Sequence, residues 1–119
     1  MEWETRARYD ESIFFVLTEL EQGLWTNGKH RFALPEEHRV SDILPTATFE
    51  FNKAVSTLSH WFDGDRFVLG EQFTMADIIL AHTLNWAESF EFVVPEKLLN
   101  YKNRMYAREA CKRALAKAG

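Results

Sequence analysis

The segment Phe67-Val-Leu-Gly-Glu-Gln-Phe-Thr-Met-Ala-Asp77, running into Ile78-Ile-Leu-Ala81, holds almost every local device that starts a helix. Thr74 stands as N-cap, its hydroxyl able to accept a backbone N–H of the first turn. Asp77, three residues on, can take the Thr74 N–H in return. It also sets negative charge at the positive end of the helix dipole. Phe73 before the cap and Ile78 at the end of the first turn are spaced to close over it as a hydrophobic staple. A chain with this box begins a helix at one residue and at one entry angle, so the other elements must be arranged around it. Asp77 therefore reads as a cap and not as a general acid.

The rest of the chain reads as helices of matching period. A first helix is predicted from near Trp3 to Leu24 or Trp25, stopped by Asn27-Gly28. At 100° per residue, Tyr9, Ile13, Val16, Leu17, Leu20 and Leu24 share its core face. Phe14 and Trp25 flank that stripe near Trp3 and Asp10, and Phe15 projects almost opposite it. One small bundle does not readily cover both flanks, so this helix is expected to meet something outside the domain. Lys29 to Asp42 reads as a polar connection with a short helix after Pro35. A second helix runs from near Pro45 to Asp63-Gly64-Asp65, with Ala47, Phe51, Ala54, Val55, Leu58, Trp61 and Phe62 inward. The helix capped by Thr74 turns Ile79, Leu80, Thr83, Leu84, Trp86, Ala87 and Phe90 to the core, with His82 partly buried at the edge of that arc. Pro95 opens a fourth helix with Leu98, Tyr101 and Met105 inward. A final helix from about Ala107 carries Ala110, Cys111, Ala114 and Leu115. The predicted fold class is all-α, one helical bundle of about five helices spanning residues 1–119.

Composition narrows the function classes. With 119 residues, 46% of them hydrophobic, the chain has enough apolar surface for one independent core and too much for disorder. A formal net charge of −4 speaks against a general nucleic-acid binder. The basic residues Lys102, Arg104, Arg108, Lys112, Arg113 and Lys117 near the end read as the solvated face of C-terminal helices. No apolar run is long enough to span a membrane, and Met1-Glu-Trp-Glu lacks the pattern of a secretory signal. Cys111 is the only cysteine, so a reducing cytoplasm is the expected compartment and a packed, inert thiol its expected state. There is no Gly-rich phosphate loop, no H-E-x-x-H, no C-x-x-C and no G-x-S-x-G elbow. None of His30, His38, His60 and His82 has a Glu three residues earlier, which removes a di-iron bundle. His38 and Asp42 alone are too few for a metal site. No catalytic and no metal-ligating residue is expected in this chain.

The central box also carries a resemblance. An aromatic, an aliphatic pair and Gly, then an aromatic-Thr-x-Ala-Asp-Ile box opening an apolar helix, resembles the C-terminal helical domain of the cytosolic glutathione transferases. Arg6-Ala-Arg-Tyr-Asp10 before an apolar helix is similar to the first helix of that domain. Leu98, Tyr101, Arg104, Met105, Arg108 and Ala110 are similar to its closing pattern, with Glu109 where Pro usually stands. The resemblance implies a missing partner, a thioredoxin-like N-terminal domain that binds and activates the glutathione thiol. This chain has no βαβ pattern and starts about where the helical domain should, so it is expected to be an excised domain or a free-standing relative without the catalytic half. The resemblance also implies a homodimer, an electrophilic small-molecule co-substrate, and glutathione as co-substrate of the parent protein, with no cofactor held by this chain.

By the same resemblance the first helix lines the electrophile pocket. Asp10 corresponds to a carboxylate that approaches the glutathione amino group, Phe14 to an apolar wall, and Trp3 is a weaker candidate beside them. Asp10 is equally an acidic residue favoured near a helix N-terminus, and Phe14 equally an interface or core residue. Two functions stay open: the electrophile-site and dimerisation domain of a glutathione-conjugating protein, inactive on its own, or a non-catalytic protein–protein interaction module of the same fold. A ligand-carrying bundle is a third class without a motif behind it.

Overall fold

A computed structural model of the chain describes residues 2–119 and shows α-helices α1 (Trp3–Phe15), α2 (Glu21–Gly28), α3 (Leu44–Trp61), α4 (Met75–Ser89), α5 (Glu96–Tyr106) and α6 (Glu109–Ala118). A π-helical turn over Val16–Leu20 joins α1 to α2, and a second over Lys29–Ala33 extends the rod. The architecture is an all-α bundle of five rods, and no β-strand occurs among the described residues. The rod of α1 and α2 lies along α3 and α4, and α5 packs on α4. Leu20, Leu24, Phe51, Leu58, Leu80, Leu84 and Tyr101 meet in a core with none of their surface exposed. Each such side chain contributes about 1.5–3 kcal/mol relative to an exposed one.

The first rod departs from its sequence reading in two places. Leu17, expected on the core face, is 45% exposed, while Val16, Leu20 and Leu24 are buried at a spacing of four. The Glu21 N–H reaches back to Val16 O, an i→i−5 bond. The wider turn it closes keeps residues four apart on one face and swings Leu17 off it. The expected stop at Asn27-Gly28 is absent as well. Gly28 is helical, with φ −63°, and the rod continues to Ala33. The stop is Pro35, because the residue before a proline is pushed to extended backbone, and Leu34 has ψ 153°. Arg39 then satisfies the open helix end, its Nε donating to Leu34 O at 2.8 Å and its Nη2 to Phe32 O at 3.1 Å. Asn27 is buried, and its Nδ2 has no hydrogen-bond partner among the described residues.

Short 3₁₀ turns at Glu36–His38 and Ser41–Ile43 lead into α3, and Pro45 sits in its first turn. Gly23 sets the distance between α2 and α3, since a Cβ there would lie 2.6 Å from Ala47 O. Trp61, expected inward, is 40% exposed. Phe15, expected to project away, is partly buried and meets Trp61 edge-on at 5.4 Å. The two rings shield each other where rod and α3 cross. His82 is exposed rather than partly buried, with Trp86 beside it at 6.3 Å. On α5 the burial of Leu98, Tyr101 and Met105 follows the periodicity, but Lys102 is buried too. Its stem lies in the bundle, and its Nζ donates to Glu88 at 2.6 Å beside the Tyr106 ring.

Candidate functional site

The α-helical stretch Trp3–Phe15 brings Trp3, Asp10 and Phe14 within about 40° of one another around its axis. This arc faces outward. Trp3 is 86% exposed and Phe14 64%, the two most open aromatic side chains of the rod, with Leu17 and Trp25 further along it. Asp10 lies between them, its carboxylate accepting from Arg6 Nε at 3.1 Å across one turn. Both partners are largely exposed, so the pair contributes only about 0.3–0.5 kcal/mol. Apolar surface around one accessible carboxylate can hold an amphipathic, cationic group, or another protein face. Of the three side chains only Asp10 carries a group that can take a proton or a cation.

At the start of α4 the Thr74 hydroxyl accepts from Ala76 N–H at 3.2 Å, and Asp77 Oδ2 takes the Thr74 N–H at 3.0 Å. Phe73 meets Phe67 edge-on at 5.7 Å and carries the Arg108 guanidinium 3.8 Å from its ring centre. Ile78 is half exposed.

Asp77 does more than its spacing announced. Its Oδ1 accepts from Val68 N–H at 2.9 Å and from the Tyr101 hydroxyl at 2.8 Å, and the residue has no exposed surface. One carboxylate thereby ties the α4 cap to the Phe67–Gly70 turn and to α5. Burial, and then the neighbouring Asp77, push the Tyr101 hydroxyl above the usual phenol range. Burial followed by Cys111 raises Tyr106 in the same way. Arg104 closes the arrangement by donating to the carbonyls of Gly64 and Arg66. The aromatic one turn above Leu98 was legible in the sequence as core. Its hydroxyl's partner, 24 residues away, was not.

Among the described residues no group of His, Cys, Asp and Glu is placed to hold a metal. Among the described residues no helix is long and apolar enough to cross a membrane.

A bundle of five helical rods, with a capped central helix and an aromatic outward face on its first rod, defines an all-α helical domain. The family model of the glutathione S-transferase C-terminal domain matches residues 26–109, most of the chain, and the protein belongs to that family. Comparison with curated proteins and with solved structures gave no match.

Proposed function

We propose that this chain is the electrophile-site and dimerisation domain of a glutathione-conjugating protein, and that it has no transferase activity by itself. The observation that carries the proposal is the outward arc of α1, where Trp3 and Phe14 stand exposed on either side of Asp10. Membership of the family supports a thioredoxin-like domain as partner for such a face. In this reading Phe14 and Trp3 form one apolar wall for a small electrophile, and Asp10 receives the amino group of glutathione. Trading the Arg6 pair for that ammonium is inexpensive, because an exposed ion pair is worth well under 1 kcal/mol and a charge-assisted hydrogen bond in a closed site about 1.5–3 kcal/mol. Thiolate activation belongs to the partner domain, and nucleic acid has no part in the reading. The parent would work in the reducing cytoplasm, where glutathione is abundant and a lone thiol such as Cys111 persists.

The test has two arms. The chain alone is assayed with glutathione and 1-chloro-2,4-dinitrobenzene, and no turnover above the uncatalysed thiol reaction is expected. The parent gene product is passed over glutathione-agarose, where retention and elution by free glutathione are expected. Turnover by the chain alone would overturn the assignment of thiolate activation to the partner. A parent that is not retained would favour the second reading, a non-catalytic interaction module whose exposed α1 aromatics dock another protein.

A further inference from the structure

The connection between the first rod and α3 is tied down by two side chains, and only one of them titrates. Arg39 holds the end of the rod through Leu34 O and Phe32 O, and its guanidinium stays charged throughout. One residue on, the Val40 N–H donates to Nδ1 of His30 at 3.0 Å. His30 is half-buried in the π-helical turn Lys29–Ala33, against which the Ser41–Ile43 turn packs. Val40 O accepts from Ile43 N–H at 3.2 Å, so Val40 begins the turn that leads into α3.

The direction of the His30 bond fixes the state of the ring. A ring nitrogen that accepts a backbone N–H carries no proton of its own, so the neutral imidazole holds its proton on Nε2. A second proton can enter only at Nδ1, where it would face the Val40 N–H, donor against donor. The charged and titratable groups on the elements around the ring are Lys29 and Arg31 on its own turn and Glu36, Glu37, His38 and Arg39 on the connection. Asp42 stands on the Ser41–Ile43 turn, and Glu91 lies past α4, where Phe32 meets Phe90. Among the described residues none of these is joined to His30 by an ion pair, and the ring's hydrogen-bond partner is Val40.

We propose that His30 is a pH-sensitive latch. While neutral it holds the connection to the rod through Val40; once protonated it frees the entry to α3, and Arg39 keeps the rod capped. The proton comes from solvent, and no covalent bond between heavy atoms changes. The contact is intact at alkaline pH and is lost as pH falls through the range in which imidazoles gain charge. The latch rests on nothing assigned to α1, so either proposal can fail alone.

Two NMR measurements on the full chain test it. Long-range proton–nitrogen spectra at pH ~8 read the tautomer, and His30 should show a protonated Nε2 and a bare Nδ1. The protection factor of the Val40 amide, corrected for the intrinsic pH dependence of exchange, should fall about three- to tenfold between pH ~8 and pH ~5, the worth of one hydrogen bond. The amide of Leu84, buried in α4, should keep its protection over the same range. His30→Asn sets an amide oxygen close to where Nδ1 stood and cannot titrate, so Val40 should stay protected at both pH values. His30→Ala should leave it unprotected at both. His38→Gln removes the other imidazole of the connection and should keep the wild-type fall. A neutral His30 carrying its proton on Nδ1 would overturn the proposal. So would Val40 protection that is the same at both pH values in the wild-type chain, or a fall of wild-type size in His30→Asn. Equal losses at Val40 and Leu84 would mean general acid unfolding and would overturn it as well.

Discussion

Replacing Asp77 with Ala removes the one acceptor shared by Val68 N–H, Thr74 N–H and the Tyr101 hydroxyl, at 2.9, 3.0 and 2.8 Å. Hydrogen bonds to a charged acceptor contribute about 1.5–3 kcal/mol each, a gross of roughly 4.5–9 kcal/mol, of which carboxylate desolvation offsets several. Truncation also strands the donors it leaves behind, at about 1–3 kcal/mol for each one that stays buried. The expected loss is about 3–5 kcal/mol. A chain of 119 residues has a total stability of roughly 6–18 kcal/mol, so the change takes a large share of it. At about 4 °C per kcal/mol for a domain of this size, the melting temperature should drop by roughly 12–20 °C. Asp77→Asn keeps the shape but turns an NH₂ toward one of the donors, and should cost about 2–3 kcal/mol. Tyr101→Phe removes a single donor without opening space and should cost about 1–2 kcal/mol. Urea denaturation followed by circular dichroism reads all three. The reasoning fails if Asp77→Asn falls within about 0.5 kcal/mol of wild type, the usual range for an uninvolved surface site, or if Tyr101→Phe costs as much as Asp77→Ala.

Gly23→Ala sets two effects against each other. Alanine favours a helix by about 1 kcal/mol over glycine, but its Cβ would meet Ala47 O at 2.6 Å, and such overpacking costs about 1–3 kcal/mol. The backbone carbonyl cannot move aside, so net destabilisation is expected in the same urea assay. For pH, the folded chain holds the Tyr101 proton above the usual phenol range, while the unfolded chain releases it near pH ~10. The contribution of Tyr101 is therefore intact below that pH and is lost as pH rises beyond it. The slope is at most about 1.4 kcal/mol per pH unit, and Tyr101→Phe should flatten it in alkaline melts. On α1, sedimentation should show the wild-type chain self-associating with concentration and Trp3→Ser/Phe14→Ser shifting toward monomer. A wild-type monomer at millimolar concentration would count against α1 as an interface.

Local chemistry wrote much of this molecule directly into the chain. The Thr74–Asp77 cap, the buried faces of α3, α4 and α5 and the all-helical class need only neighbours within a turn or two, and such patterns are legible as spacing. Trp3, Asp10 and Phe14 share an arc for the same reason, since an α-helix of ordinary pitch fixes their angles. Other features depend on bonds or contacts the periodicity does not contain. The π-helical turn at Val16–Leu20 changed the phase that would have buried Leu17. The continuation through Asn27-Gly28 was decided by packing against the bundle, because glycine is free to stay helical when its neighbours hold it there. Tyr101 reaches Asp77, and Lys102 reaches Glu88, across separations that only folding closes. Spacing along one helix fixes which residues share a face; what that face meets is a property of three dimensions.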